Sequence, residues 1–277
     1  RAGEDQVMIC PPTFGVYRVF AAIQGAEVVE VPLGKDWQLD LPAILKACTS
    51  KTKLIFIPSP HAPMGHLMKN ADILALCRER SEKSLIVADE PYVQFTPAPG
   101  GLVPELANYP NLVILRTMSK AQSLAGERVG AAIAAPEIIE RLQKVRAAYP
   151  LAQSSIRAAL DALSPNGLVE AAERRRILIA ERERLAGLLL QSPYNVSVYP
   201  SVANFLLVQT KDSKAFMERL QRFGILARNR HGDIPDTVRL TIGRPEENNL
   251  VLKVLEVAVE EQASSPRLFS ASRVTKE

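Results

Sequence analysis

Cysteine and histidine are scarce: three of each in 277 residues. Cys10, Cys48 and Cys77 are odd in number and far apart, which argues against a disulfide framework and reads as reduced thiols of a cytoplasmic protein. His61, His66 and His231 show none of the spacings of a zinc site. No apolar run reaches the ~18 residues of a membrane span, and no basic stretch leading into an apolar one marks a secretory signal. Neither sign of charge dominates, with 34 basic and 30 acidic side chains and a net charge of +4. The longest basic run, Arg174-Arg175-Arg176, lies among Glu170, Glu173, Glu181 and Glu183. It reads as a solvated helix face with i,i+4 pairs rather than a nucleic-acid contact. Neither a membrane nor a nucleic acid is expected as a partner, whereas small anions remain plausible ones.

What is present is an alternation. Short apolar runs (Val7–Cys10, Glu27–Val31, Lys53–Ile57, Ser84–Ala88, Leu112–Leu115, Val129–Ala134) alternate with helical patterns at Tyr17–Gln24, Pro42–Ala47, Asn70–Arg80 and Pro136–Arg146. Continuous apolar runs such as Leu54-Ile55-Phe56-Ile57 suit strands buried on both faces. The pattern predicts an α/β fold with a mostly parallel sheet sandwiched by helices over residues 1–165. A long helix follows, about Pro165 to Leu190, its apolar positions expected at Leu168, Ala172, Ile179, Leu185, Leu188 and Leu189. A smaller α+β domain over 166–262 is expected from runs at Val196–Tyr199, Asn204–Gln209, Ile225–Arg228 and Thr237–Ile242, with helices at Ser213–Arg222 and Glu246–Glu261. Residues 263–277 read as a surface tail. The chain begins with Arg1 and enters a strand-like run at once, so the first domain is expected to start upstream.

Chemistry concentrates in two places. Thr117-Met118-Ser119-Lys120-Ala121 follows an apolar strand, with Arg128 eight positions after the lysine. Hydroxyls and a guanidinium suit a phosphate, and a desolvated lysine amine is a nucleophile toward an aldehyde. That set suits a Schiff base with pyridoxal phosphate. Asp89-Glu90-Pro91-Tyr92 ends another buried strand, where ligands of open α/β sheets bind. A carboxylate there can keep a pyridine nitrogen protonated, although a turn-capping aspartate is as common.

Together with Pro11-Pro12-Thr13-Phe14-Gly15-Val16-Tyr17, Trp37-Gln38-Leu39-Asp40-Leu41, Asn204-Phe205-Leu206-Leu207, Arg239-Leu240-Thr241-Ile242-Gly243 and Pro245-Glu246-Glu247-Asn248, these segments give the chain a family likeness. It resembles the fold-type-I pyridoxal-phosphate-dependent aminotransferases, and within them the histidinol-phosphate aminotransferases, over about residues 5–260. The resemblance implies that Lys120 carries the cofactor and moves the proton, that Asp89 pairs with the ring nitrogen and that Tyr92 contacts the phenolate oxygen. It implies Phe14 stacked on the ring, and Thr117, Ser119 and Arg128 on the phosphate. On the substrate side it implies Arg239 on an α-carboxylate, Arg228 on a phosphate, and Asn204. It further implies a cytoplasmic homodimer in histidine biosynthesis that uses an amino donor and a keto-acid acceptor.

The chain departs from the family at Ser59-Pro60-His61-Ala62-Pro63-Met64-Gly65, where Ala62 replaces the asparagine that donates to the phenolate. Pro91, Gln122 and Arg244 are further departures, and Glu127 is expected to draw Arg128 away from the phosphate. The family's Gly-Ala-Asp loop and N-terminal arm have no counterpart in these residues. His61 and His66 are expected as solvated turn residues. Related aromatic aminotransferase or threonine-phosphate decarboxylase activity, or a degenerate member with weak cofactor binding, are the alternatives.

Overall fold

A computed structural model describes residues 2–97, 100–194 and 196–257. The first sheet contains β1 (Gln6–Ile9), β2 (Glu27–Glu30), β3 (Thr52–Pro58), β4 (Leu85–Asp89), β5 (Leu112–Thr117) and β6 (Gly130–Ala134), in the order β2-β1-β3-β4-β5-β6. All its neighbours run parallel except β5 and β6, which are antiparallel. Parallel neighbours need crossovers. These run through α1 (Val16–Ile23), α2 (Leu41–Ala47) and α3 (Asn70–Glu79) and, between β4 and β5, through two short 3-10 turns (Val93–Phe95 and Val103–Glu105), with α4 (Pro136–Val145) following β6. Helix α2 starts where Asp40 accepts from the Ala43 amide at 3.0 Å, with proline in the first turn, where its missing N–H costs nothing.

Both faces of this sheet are covered, as its apolar strands require. On one face Met8, Ile55, Ile57, Ile86, Leu112 and Ile114 pack with Ile44, Ile73 and Leu76 of α2 and α3. On the other, Val7 and Ile9 pack with Tyr17 and Ala21 of α1.

Two further helices, α5 (Gln153–Ala162) and α6 (Pro165–Leu189), lead to the second sheet. It comprises β7 (Ser197–Val198), β8 (Phe205–Gln209), β9 (Arg228–Asn229) and β10 (Thr237–Thr241), with α7 (Ser213–Arg222) after β8 and α8 (Pro245–Val254) after β10. The order is β7-β8-β10-β9 and every pair is antiparallel. Leu206, Val208, Val238 and Leu240 face Leu185, Leu189, Phe216, Leu220 and Leu252 of α6, α7 and α8. The alternate residue Leu207 packs with Met64 and Ile234, beside Trp37. The second sheet thus presents its other face to the loops of the first.

Several expectations need correction. Helix α5 was not among the expected helices. On α6, Leu168 and Ala172 are exposed, while Ala171, Glu181 and Arg182 are buried with Leu185 and Leu189. The buried charges are satisfied: Glu181 accepts from Arg184 and Asn248, and Arg182 donates to the Ala203 carbonyl at 3.1 Å. Strand β9 lies three residues later than the run expected at Ile225. The tail at 263–277 and the end of the last helical run lie outside the described residues. The Arg174–Arg176 segment does carry ion pairs to Glu170 and Glu173.

Candidate active site

Strand register builds the site. Pro58 of β3 pairs with Asp89 of β4, and Asp89 with Leu115 of β5. The Ser59–Gly65 segment, Asp89–Tyr92 and Thr117–Lys120 therefore leave the sheet side by side at its carboxyl end. Such a crevice is where open α/β sheets bind ligands.

Asp89 receives a hydrogen bond from the Tyr17 hydroxyl at 2.6 Å. Burial raises the Asp89 carboxyl above its usual range, and the Tyr17 bond opposes that. Burial, and then the neighbouring Asp89 charge, hold the Tyr17 phenol well above its ordinary value, so it remains the donor. Tyr17 is stacked on Phe56 at 4.8 Å and meets Phe14 edge-on at 5.5 Å. In the sequence it stood within a motif and at the head of a helix, with no role assigned to it. The available signal was its place one helical turn after Phe14, at the start of α1.

Lys120 is half-buried, and burial first, then Arg239 and Arg128, pull its amine below the usual lysine value. Its Nζ lies 5.5 Å from the Tyr92 ring centroid. Tyr92 meets Phe205 edge-on at 5.1 Å, and the Arg239 guanidinium lies 4.9 Å over that same Phe205. Two cations and two rings thus form one continuous stack from the first sheet to the second. Ala62 is buried against Tyr92, Phe95, Ala121, Ala203 and Phe205, so this position adds apolar packing and no donor.

Thr117 and Ser119 are brought together, the Thr117 hydroxyl donating to Ser119 Oγ at 2.9 Å and accepting from the Ser119 amide at 3.1 Å. Arg128 adopts φ +56° and donates to the Ala125 carbonyl at 2.8 Å. Glu127 does not draw it off: its carboxylate accepts from Ser155 of α5 at 2.8 Å. Arg228 and Arg239 are direct cross-strand partners. Phe14 is partly exposed at the rim. The Asn204 carbonyl accepts from the Ile242 amide at 2.9 Å, so its backbone joins the sheet edge.

The histidines are not solvated. His61 is fully buried and its ring stacks on His66 at 5.2 Å. Burial and its neighbour lower His61 to about 3, and burial lowers His66, so both rings are neutral at pH 7. His66 Nε2 lies 2.8 Å from the Trp37 carbonyl. The turn is pinned from both sides, which the local sequence did not reveal.

The sequence profile described as aminotransferase class I and II matches residues 2–255. The chain belongs to that family, and it is a pyridoxal-phosphate-dependent aminotransferase. Among its relatives, histidinol-phosphate aminotransferase 1 of Pasteurella multocida is 40% identical over 254 residues, which is 91% of this chain and 72% of the relative. The fold is similar to histidinol-phosphate aminotransferase from Sinorhizobium meliloti in complex with pyridoxal-5'-phosphate (TM-score 0.83, 23% identity, 92% and 72% of the two chains). It is also similar to L-threonine-O-3-phosphate decarboxylase from Porphyromonas gingivalis (TM-score 0.76, 23% identity, 91% and 76% of the two chains). The residues fit the cofactor: a half-buried carboxylate spends only Oδ2 on Tyr17, a depressed lysine amine stands over Tyr92, and two hydroxyls and Arg128 flank the lysine.

Proposed function

We propose that the protein transaminates histidinol phosphate, with glutamate and 2-oxoglutarate as the second pair. The observation that carries this reading is the stack Lys120–Tyr92–Phe205–Arg239, which aligns a nucleophilic amine with a carboxylate-binding guanidinium across the two sheets. The 40% identity to the Pasteurella multocida enzyme supports the choice of substrate.

Each residue has a part. Pyridoxal phosphate, when bound, supplies an electron sink for the pair left on the substrate α-carbon. Lys120, its pKa lowered by burial and by Arg239 and Arg128, would move the proton between the substrate α-carbon and the C4′ carbon of the cofactor. Asp89, oriented by Tyr17, keeps the ring nitrogen protonated. Tyr92 serves the phenolate oxygen and Phe14 the ring face. Thr117, Ser119 and Arg128 hold the cofactor phosphate. Arg239 grips the α-carboxylate of glutamate, Arg228 the phosphate of histidinol phosphate, and Asn204 borders the substrate. One site then accepts both substrates because separate cations read their separate anions.

The same reading takes residues 1–165 as the cofactor-binding domain, 166–262 as the smaller domain, and the assembly as a cytoplasmic homodimer. No helix among the described residues is long and apolar enough to cross a membrane. Borohydride reduction with saturating pyridoxal phosphate, followed by peptide mapping, is expected to place the label on Lys120 alone. Purified protein given histidinol phosphate and 2-oxoglutarate is expected to form glutamate. A label elsewhere, or no glutamate, overturns the reading.

A further inference from the structure

The inner face of the second sheet carries more positive charge than one carboxylate substrate explains. Arg239 is opposite Leu207 on one side and opposite Arg228 on the other. Directly opposed residues share a face, and Leu207 packs on Met64 of the first domain's loop. Arg228 and Arg239 therefore face that loop. Arg230 lies two positions beyond Arg228, and its amide donates to the Thr237 carbonyl at 2.9 Å, so the ladder continues and Arg230 lies on the same face.

Arg230 differs from its neighbours in burial and in pairing. Its side chain is only 16% exposed, and one nitrogen meets Asp233 at 2.8 Å. Its Nε is buried with no hydrogen-bond partner. Burial first, and then Arg239 and Arg228 against the pull of Asp233, lower its guanidinium from the usual value. Among the described residues, neither Arg228 nor Arg239 has a carboxylate partner. Three guanidiniums thus share one aspartate. A buried donor left without an acceptor is unfavourable, and an anion in this place relieves both deficits.

There is room for one nearby. Gly232 and Asp233, just past Arg230, help line a cavity of about 430 Å³ whose other residues include Pro12, Thr13 and Arg18. The Thr13 hydroxyl is buried there with no partner of its own. Strand β10, which carries Arg239, lies between β8 and β9, so Arg228 and Arg230 stand on the edge strand, one strand further from Phe205 than Arg239 is.

We propose that Arg230 is a further specificity-determining residue that, with Arg228, holds the phosphate of a phosphate-monoester substrate. This rests on the reading of histidinol phosphate as substrate. Asp233 keeps the guanidinium in place before substrate arrives and competes with the phosphate for it.

The test uses the full chain loaded with pyridoxal phosphate, so that the cofactor's own phosphate site is filled. Inorganic phosphate is titrated by calorimetry, and KM is measured separately for histidinol phosphate and for glutamate. Arg230→Gln is expected to weaken phosphate binding by about tenfold or more, the scale of one lost hydrogen bond to a charged group. Its KM for histidinol phosphate is expected to rise at least tenfold more than its KM for glutamate, and Arg230→Lys is expected to recover part of both. Asp233→Asn is expected to act in the opposite direction and tighten phosphate. Unchanged phosphate affinity in Arg230→Gln and in Asp233→Asn, or an equal rise in both KM values, overturns the proposal. If phosphate affinity follows Arg230 while histidinol phosphate is not turned over, the anion site stands and the assignment of substrate falls.

Discussion

Tyr17 and Asp89 are 72 positions apart, and their 2.6 Å hydrogen bond sets the charge state of the site. Burial raises the Asp89 pKa, so the folded chain holds this proton more tightly than the unfolded chain does. Between the unfolded and folded values stability falls as pH rises, and the loss persists above both. Asp89→Asn removes that penalty while an amide oxygen can still accept from Tyr17. The cofactor-free variant is expected to melt higher than the parent at pH 7, with the gap closing toward the ordinary carboxylate value near pH 4. Its turnover is expected to fall by ~10²–10⁴. A lower melting temperature at pH 7 would count against a strained carboxylate. Tyr17→Phe keeps the stack on Phe56 but removes the donor, so the Asp89 pKa moves further up. The acid limb of the pH–rate profile is expected to shift to higher pH, and an unmoved limb would mean that the bond does not tune Asp89.

The Ser59–Gly65 segment joins the two sheets. Gly65 has φ +92°, and a Cβ there would lie 2.2 Å from Ser201 Oγ and 2.8 Å from Ser201 Cβ. The Gly65 carbonyl also accepts from the Val202 amide at 2.8 Å, and Met64 packs on Leu207 and Ile234. Only glycine gives both the backbone angle and the close approach. Gly65→Ala is expected to cost about 1–3 kcal/mol from the backbone alone, with displacement of Ser201 added, and to lower the melting temperature accordingly. An unchanged melting curve would show that the second sheet does not clamp this turn. His61, in the same turn, is fully buried and stacked on His66.

Among the described residues, several apolar side chains are exposed, Tyr149 and Leu226 most of all, and two groups of them lie near one another along the helices. Val19, Phe20 and Ile23 lie along α1, and Leu160, Leu163 and Val169 lie around the junction of α5 and α6, each more than half exposed. Exposed apolar side chains that gather into a patch mark interaction faces. Strand β6 also has its first three residues exposed at the sheet edge. The expected homodimer would cover such surface. Sedimentation at micromolar concentration is expected to give twice the 30.4 kDa of one chain, and a single species of one chain's mass would remove the homodimer from the reading.

The alternation of strands and helices, the parallel core and the positions of Asp89 and Lys120 at strand ends were legible in the sequence. They follow from local rules: continuous apolar runs demand burial on both faces, and side chains just past such runs stand at the open end of the sheet. The tertiary structure alone decided the partners. Tyr17 was readable as an aromatic of α1 but not as the donor to Asp89. Glu127 could be paired on paper with the adjacent Arg128, yet α5, not among the expected helices, brings Ser155 to it. Glu181 looked like part of a solvated face until Asn248 met it. His61 and His66 looked like turn residues until two sheets closed on them, and Arg230 drew no reading until β10 placed it beside Arg228 and Arg239. Periodicity records which face of an element turns inward. What a polar group meets there depends on segments far away in the chain, and that meeting sets its charge, its hydrogen bonds and its chemistry.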